Sequence, residues 1–263
     1  MFKAEFKDAR MMKGIFDAVS AIISETVLKV TPEEGITLTA LDLSHICLVS
    51  LSLGKGDFET FETDKDYELG INIGDLVKII RRSGADDSII FSHDPKENKL
   101  IIKMQPNDGK RARRFTLGLI EVESEDLEMK GLIEMEFDNS CTMELKYLEE
   151  AIKDAEIMAD VLEVKVGDDK KLNFSAQGTI GDMNYTLEQE LMEKADFPEE
   201  SIGVFAISFL VNILKIGPIA KKVEVEMRSD VPLKLRFGLL KESQILYFLA
   251  PRVEEDDDDM YED

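Results

Sequence analysis

The sequence predicts an α+β fold made of two similar domains by internal duplication, each with helices on one side of antiparallel sheets. Three observations carry that expectation. Most of the chain alternates apolar and polar residues with the period of two of a half-buried strand, as in ITLTAL (36–41), ICLVSLSL (46–53), KLIIKM (99–104), KLNFSA (171–176), VEVEMRS (223–229) and LKLRFGL (233–239). Four segments, at 8–23, 74–83, 144–158 and 207–216, instead place apolar residues at helical spacing. The order strand, helix, several strands, helix, several strands then runs a second time, and a long period of this kind decides the architecture.

Each element follows in turn. The helix at 8–23 leads into a strand pair joined by the polar turn TPEEG (31–35), and the helix at 144–158 into one joined by GDDKK (167–171). LVKIIR (76–81) matches LVNILK (210–215), apolar to apolar and cation to cation, about 134 positions on, and GIFDA (14–18) lies against AIKDA (151–155) at a similar offset. Between the copies, EVESEDLEMKGLIEMEF (121–137) is acidic and without a clean period, which predicts an extended surface linker. The ending VEEDDDDMYED (253–263) reads as a solvated, disordered tail, so the expected division is 1–120, a linker at 121–137, 138–252 and the tail.

With 263 residues and 44% hydrophobic composition the chain can bury real cores, which excludes a disordered acidic protein. Its longest apolar stretches, IGVFAISFLV (202–211) and QILYFLA (244–250), fall well short of the roughly 18 residues of a membrane span. The start, MFKAEFKDAR, lacks a signal-peptide core. Cys47 and Cys141 sit in apolar strand-like contexts and read as reduced, buried thiols. A soluble intracellular protein without membrane contact is expected.

The formal charge of −23 is most simply an acidic, soluble surface, but its distribution says more. Segments 8–23, 74–83, 144–158 and 207–222 carry 0, +2, −3 and +3, a total of +2, which leaves −25 for the rest. In KIIRRSG (78–84), Lys78, Arg81 and Arg82 share one helix face, opposite Leu76, Ile79 and Ile80. A solvated helix face is the plain reading of any one such segment. Repetition in both copies against so acidic a background favours a polyanion surface. No aromatics interleave these cations for base stacking, and no recognition helix is present. Phosphate contact without base readout remains, and it is salt-dependent and mobile along a duplex.

MFKAEF at the start, ALDLSHICLVSL (40–51), the paired helices LVKII and LVNILK, SDVPLKL (229–235) and FLAPRVE (248–254) resemble the sliding clamps of the proliferating cell nuclear antigen (PCNA) type. The resemblance runs from Met1 to about Glu254, and LAPRVEE looks more archaeal than eukaryotic. It implies a DNA clamp: a homotrimeric ring, sheets outside, with helices lining a hole that encircles double-stranded DNA. It also implies a processivity factor rather than an enzyme, with no cofactor. The implied partners are DNA polymerase, clamp loader, flap endonuclease and DNA ligase, bound through PCNA-interacting peptide motifs. Its place would be the cytoplasm, on an archaeal nucleoid, or the nucleus of a eukaryote.

By resemblance Lys13, Lys78, Arg81, Lys153 and Lys215 face the hole, and helix geometry adds Arg82, Lys221 and Lys222. Glu149, Glu150 and Glu156 make 144–158 more acidic than that role suggests. The implied partner-peptide pocket comprises Leu41, His45, Ile46 and Leu48, Leu132 and Phe137 of the linker, Val231 and Pro232, and Phe248, Leu249, Ala250, Pro251 and Val253. Ile133 stands where the family usually has proline. Two other readings are a subunit of a heterotrimeric clamp, replicative or checkpoint, and an acidic peptide-binding module that never encircles DNA. Asp42, His45 and Cys47 do not read as a metal or nucleophile cluster, because their spacing in a strand sends the side chains to different faces. The absence of G-x-x-x-x-G-K-[ST] excludes a self-loading ATPase.

Overall fold

In the first half, strand β1 (Phe2–Phe6) is followed by helix α1 (Ala9–Ser20), strands β2 (Glu25–Thr31), β3 (Gly35–Leu41), β4 (Cys47–Gly54), β5 (Thr60–Thr63) and β6 (Tyr67–Asn72), helix α2 (Ile73–Ile80) and strands β7 (Asp87–Asp94), β8 (Lys99–Pro106) and β9 (Arg113–Gly118). After helix α3 (Asp126–Ile133) the second half repeats it: β10 (Asn139–Glu144), α4 (Leu145–Met158), β11 (Val161–Val166), β12 (Leu172–Gly178), β13 (Gly181–Leu187), β14 (Met192–Asp196), β15 (Ser201–Ala206), α5 (Ile207–Ile213), β16 (Lys222–Met227), β17 (Leu233–Gly238) and β18 (Gln244–Leu249). The computed structural model describes residues 1–252 except 95, 97, 107 and 123–125, with backbone alone at 94 and 126–128. The tail at 253–263, Val253 included, lies outside the described residues.

The sheets repeat as the elements do. One sheet runs β5-β1-β7-β8-β9, one runs β14-β10-β16-β17-β18-β4-β3-β2-β6 and one runs β13-β12-β11-β15. Separating β18 from β4 divides the long sheet into β14-β10-β16-β17-β18, the counterpart of the first sheet, and β4-β3-β2-β6, the counterpart of the last. The chain is thus two domains of one topology, fused along the antiparallel pair β18·β4. Their counterparts, β9 and β13, are unpaired edges among the described residues.

Local chemistry explains the helices. Asp8 caps α1 by accepting from the N–H groups of Arg10 and Met11 at 2.9 and 3.2 Å, and Asn72 caps α2 by accepting from Asp75 N–H at 3.0 Å. Each helix buries a stripe: Met12, Ile15, Phe16 and Val19 on α1, Leu76, Val77 and Ile80 on α2, Leu148, Ala151, Ile152 and Ala155 on α4, Leu210 and Ile213 on α5. The expected helix at 207–216 tightens into a 3₁₀ turn at Leu214–Ile216. Pro218, two residues on, has no N–H to donate and blocks extension. The buried stripes set Met12 on Leu148 and Phe16 on Ile152, one position out of step with GIFDA on AIKDA. Lys13 therefore corresponds to Glu149.

One apolar core runs through both halves. At the fusion Cys47, Val49 and Leu51 meet Leu249, Tyr247 and Ile245 across the pair, all at most 1% exposed. The linker departs from the expected extended course. Met129, Leu132 and Ile133 share one face of α3, which packs on a separate small cluster with Leu48, Leu246 and Phe248. Among the described residues no helix is long and apolar enough to cross a membrane.

Candidate nucleic-acid face and partner groove

Helices α1, α2, α4 and α5 form one layer: α1 packs on α2, α4 on α5, and α1 reaches across the fusion to the turn at Leu214–Ile216. Gly14 permits that approach, since a Cβ there would stand 2.4 Å from Ile219 Cγ2. The outward side of the layer carries the predicted cations. Lys13 Nζ donates to Ser83 O at 2.6 Å and Arg81 Nε to Asp17 Oδ1 at 2.9 Å, so both fasten α1 to the end of α2. Lys78 is paired with Asp75 at 2.8 Å and is 77% exposed. Arg82 is exposed beside them.

In the second domain Lys153 pairs with Glu149 at 3.2 Å, and Lys215 and Lys221 are exposed. Lys222 stands apart, at the start of β16 in an ion pair with Glu193 of β14, because the helix ends well before it. The acidic departures have structural roles. Glu149 packs where Gly217 leaves space, as Lys13 packs at Ser83. Glu150 accepts from Tyr185 O–H at 3.1 Å. Burial, and then this bond, push the Tyr185 phenol up to about 12. Arg10 and Lys146, which the sequence reading did not single out, occupy equivalent exposed positions on α1 and α4.

On the far side of the sheets lies a groove of about 340 Å³ between α3 and strands β2 and β3. Leu41, Leu43, His45, Met129 and Ile133 line it. Its rim is held by Asp42, whose carboxylate accepts from Ile46 and Cys47 N–H at 2.7 Å, from Ser44 N–H at 2.9 Å and from Ser44 Oγ. Burial pulls this carboxyl upward, but the hydrogen bonds from Ser44, Cys47 and Ile46 outweigh it and hold it below the usual carboxylate range. The locked loop leaves Leu43 91% exposed, with His45 in the left-handed region at φ 57°.

The structure divides the predicted pocket. Leu41 and His45 line the open groove. Leu48 and Phe248 are closed beneath Met129, Leu132 and Phe137. Lys234 anchors this cover, its Nζ 5.3 Å from the Phe137 ring, 5.8 Å from Phe248 and 2.6 Å from Glu226. Ala250 N–H donates to Ile46 O at 2.8 Å, and Pro251, Val231 and Pro232 are half-buried. Leu249 is a correction: it points into the main core opposite Cys47, as strand alternation after Phe248 requires. Asp42, His45 and Cys47 do not converge on a reactive centre. Asp42 is engaged by its own loop, while burial pushes the Cys47 thiol far above its ordinary value.

Two family models cover the chain. Residues 1–128 match the N-terminal domain of proliferating cell nuclear antigen and residues 131–252 match its C-terminal domain. The DNA polymerase sliding clamp of Methanothermobacter thermautotrophicus is 31% identical over 255 residues, which span 97% of this chain and 99% of that protein. That of Methanococcus vannielii is 30% identical over 262 residues, 97% and 100% of the two chains. That of Pyrococcus abyssi is 28% identical over 256 residues, 97% and 99%.

Proposed function

The chain belongs to the proliferating cell nuclear antigen family of DNA polymerase sliding clamps, and on that footing we propose that three copies close into a ring that encircles duplex DNA and tethers polymerase and other replication and repair enzymes. One observation carries the ring. The pair β18·β4 that fuses the domains has its two counterparts, β9 and β13, left as open edges among the described residues of a single chain. If β9 of one copy joins β13 of the next, the internal junction is repeated between chains. Such a head-to-tail contact closes or runs on as a filament, and family membership favours closure at three.

Carried over from the internal junction, the registers within the chain support a particular pairing. Leu100 of β8 and Leu233 of β17 occupy equivalent inward positions, so Phe115 corresponds to Tyr247 and Leu117 to Leu249. The same reasoning on β12·β13 and β3·β4 matches Met183 to Val49 and Tyr185 to Leu51. Phe115 would then face Met183 and Arg113 would face Tyr185. Phe115, Leu117, Met183 and Tyr185 are half-exposed in the single chain, and pairing would bury them.

Beyond the strands, Gly56 N–H donates to Glu242 Oε2 at 2.8 Å and Ser243 Oγ donates to Asp57 Oδ2 at 2.7 Å. Their counterparts between copies would be Lys110 with Glu190 and Arg111 with Leu191. The basic turn of one edge would therefore meet the acidic turn of the other.

In such a ring the helix layer faces the DNA. Lys13, Lys78, Arg81, Arg82, Lys153 and Lys215 would contact phosphates without reading bases, with Lys221 at the margin and Lys222 outside. Weak, salt-dependent contacts suit sliding, while ring topology supplies retention. The chain then holds and positions rather than catalyses. Partner peptides with apolar anchors would use the groove, and reaching Leu48 and Phe248 requires α3 to yield. The cluster beneath α3 is small and separate from the main core, so its opening is far less costly than unfolding.

The molar mass of the purified chain tests the reading. Three times 29.7 kDa is expected. A persistent 29.7 kDa monomer would favour a heterotrimeric subunit. Trapping on closed circular DNA, with release on linearisation, tests encirclement.

A further inference from the structure

The duplication assigns a place to the acidic segment 253–263. Ile120, at the start of the linker, donates its N–H to Gly70 O of β6 at 2.9 Å, and Arg252 donates its own to Val204 O of β15 at 2.7 Å. Gly70 pairs with Val27 of β2, and Val204 with Glu163 of β11, so the two bonds occupy equivalent edges. The linker and the C-terminal segment therefore leave equivalent points of the two domains. From Ile120 the linker crosses the outer face of β2 and β3 and covers the β18·β4 junction with Met129, Leu132 and Phe137. Continued by the same symmetry, residues 253–263 would cross β11, β12 and β13 to the junction with β9 of the next copy.

The surface waiting there differs as the two segments differ. Under the linker lie Leu48, Leu246 and Phe248, an apolar floor for an apolar cover. The outer face of β9, β8 and β1 instead presents Arg114, Lys103 and Lys3 around Ile101, with Glu5 the one carboxylate among the described residues lining the same concavity of about 600 Å³. Lys3, Lys103 and Arg114 have no ion-pair partner among the described residues, in a chain with 55 carboxylates. Residues 254–259 are all acidic, and two further carboxylates follow at Glu262 and Asp263.

Length allows the contact. Met129 stands nine residues past Ile120, and eleven residues follow Arg252. Fully extended, eleven residues span about 36 Å, whereas the five strand spacings from β15 to the neighbouring β8 amount to about 24 Å and the seven to the neighbouring β1 to about 34 Å. Glu163 and Asp182 lie along the way and would repel an acidic segment short of its destination.

We propose that residues 253–263 of one copy dock on the cationic outer face formed by Lys3, Lys103 and Arg114 of the next copy. The C-terminal segment thereby straps the junction between chains as the linker straps the junction within one. This rests on the ring reading, because within one chain β9 and β13 belong to opposite ends of the molecule's sheets. Each ion pair is weak and screened at physiological salt. Tethering supplies an effective concentration of order millimolar, which sustains such contacts.

Zero-length carbodiimide coupling of the full-length protein at low salt, read by peptide mass spectrometry, tests it. Amide bonds from the carboxylates of 254–263 to Lys103, and from the far end of the segment, Glu262 and Asp263, to Lys3, are expected, and 0.5 M salt should abolish them. Arg114→Glu should lower their yield about fivefold, the scale of one exposed ion pair turned to repulsion. Lys103→Gln should lower the remaining yield at Lys3. Coupling spread evenly over exposed lysines, or directed to Lys78 and Lys215, would overturn the proposal, as would yields indifferent to Arg114→Glu. Molar mass measured on the same samples separates the two readings: a monomer sinks the ring, and a trimer without these bonds sinks the strap alone.

Discussion

The junction β18·β4 and the open edges β9 and β13 are one design in two states. At the closed junction Val49 and Tyr247 are fully buried. At the open edges their counterparts, Met183 and Phe115, are only half-covered. The clamps differ too. Inside the chain a glutamate and a serine hydroxyl bond to backbone N–H and to Asp57, whereas the open edges carry Lys110 and Arg111 at one end and Glu188 and Glu190 at the other. An internal junction is guaranteed by covalent connection and requires no recognition. In the proposed ring a junction between copies must select its partner and direction, which opposite charges at the two edges would accomplish.

The largest expected effect comes from breaking the closed member. Val49→Asp places an unpaired charge in the core and should cost at least ~3 kcal/mol, unfolding the chain or sharply lowering its Tm by circular dichroism. Phe115→Asp, at the equivalent open position, should leave a folded protein but reduce the molar mass to that of a monomer. Next in size, Lys110→Glu should weaken assembly about tenfold, and adding Glu190→Lys should restore it, as read by sedimentation across a salt series. A double variant no better assembled than Lys110→Glu alone would refute the inferred register.

Lys78→Glu with Arg81→Glu should leave the ring whole but impair processivity, with the salt slope of DNA binding reduced by about one per cation lost. Ile46→Glu with Pro251→Glu should abolish binding of an aromatic-anchored partner peptide by calorimetry without changing the mass. The smallest effects are chemical. Burial raises both thiols, Cys141 to about 12, so neither Cys47 nor Cys141 should react with an alkylating reagent at pH 8 until the chain unfolds. The Asp42 carboxyl is held low, so its contribution to the loop is complete above the ordinary carboxylate range and is lost only as pH falls through its lowered value. Peptide affinity should therefore not change through Asp42 between pH 7.5 and 5.

Legibility followed coverage. LVKIIR and LVNILK could be matched because one face of α2 and of α5 is buried and the other is not, which imprints a period on the residues. QILYFLA could not show which of Phe248 and Leu249 faces the groove. Both faces of β18 are covered, by the core and by α3, so apolar residues fill both and alternation disappears. Helix α3 was hidden by acidic neighbours, although Met129, Leu132 and Ile133 carried helical spacing within them. Lys222 was grouped with a helix that ends before it.

Taken alone, the sequence determined the duplicated α+β plan, the sparing of the helices from negative charge and the family, because burial and charge leave their mark on single residues and short periods. Only the tertiary structure decided that one junction is sealed while its counterpart stays open, and that the linker helix closes over Leu48 and Phe248. Strand order and coverage join residues far apart in the chain, and no local pattern records who those neighbours are.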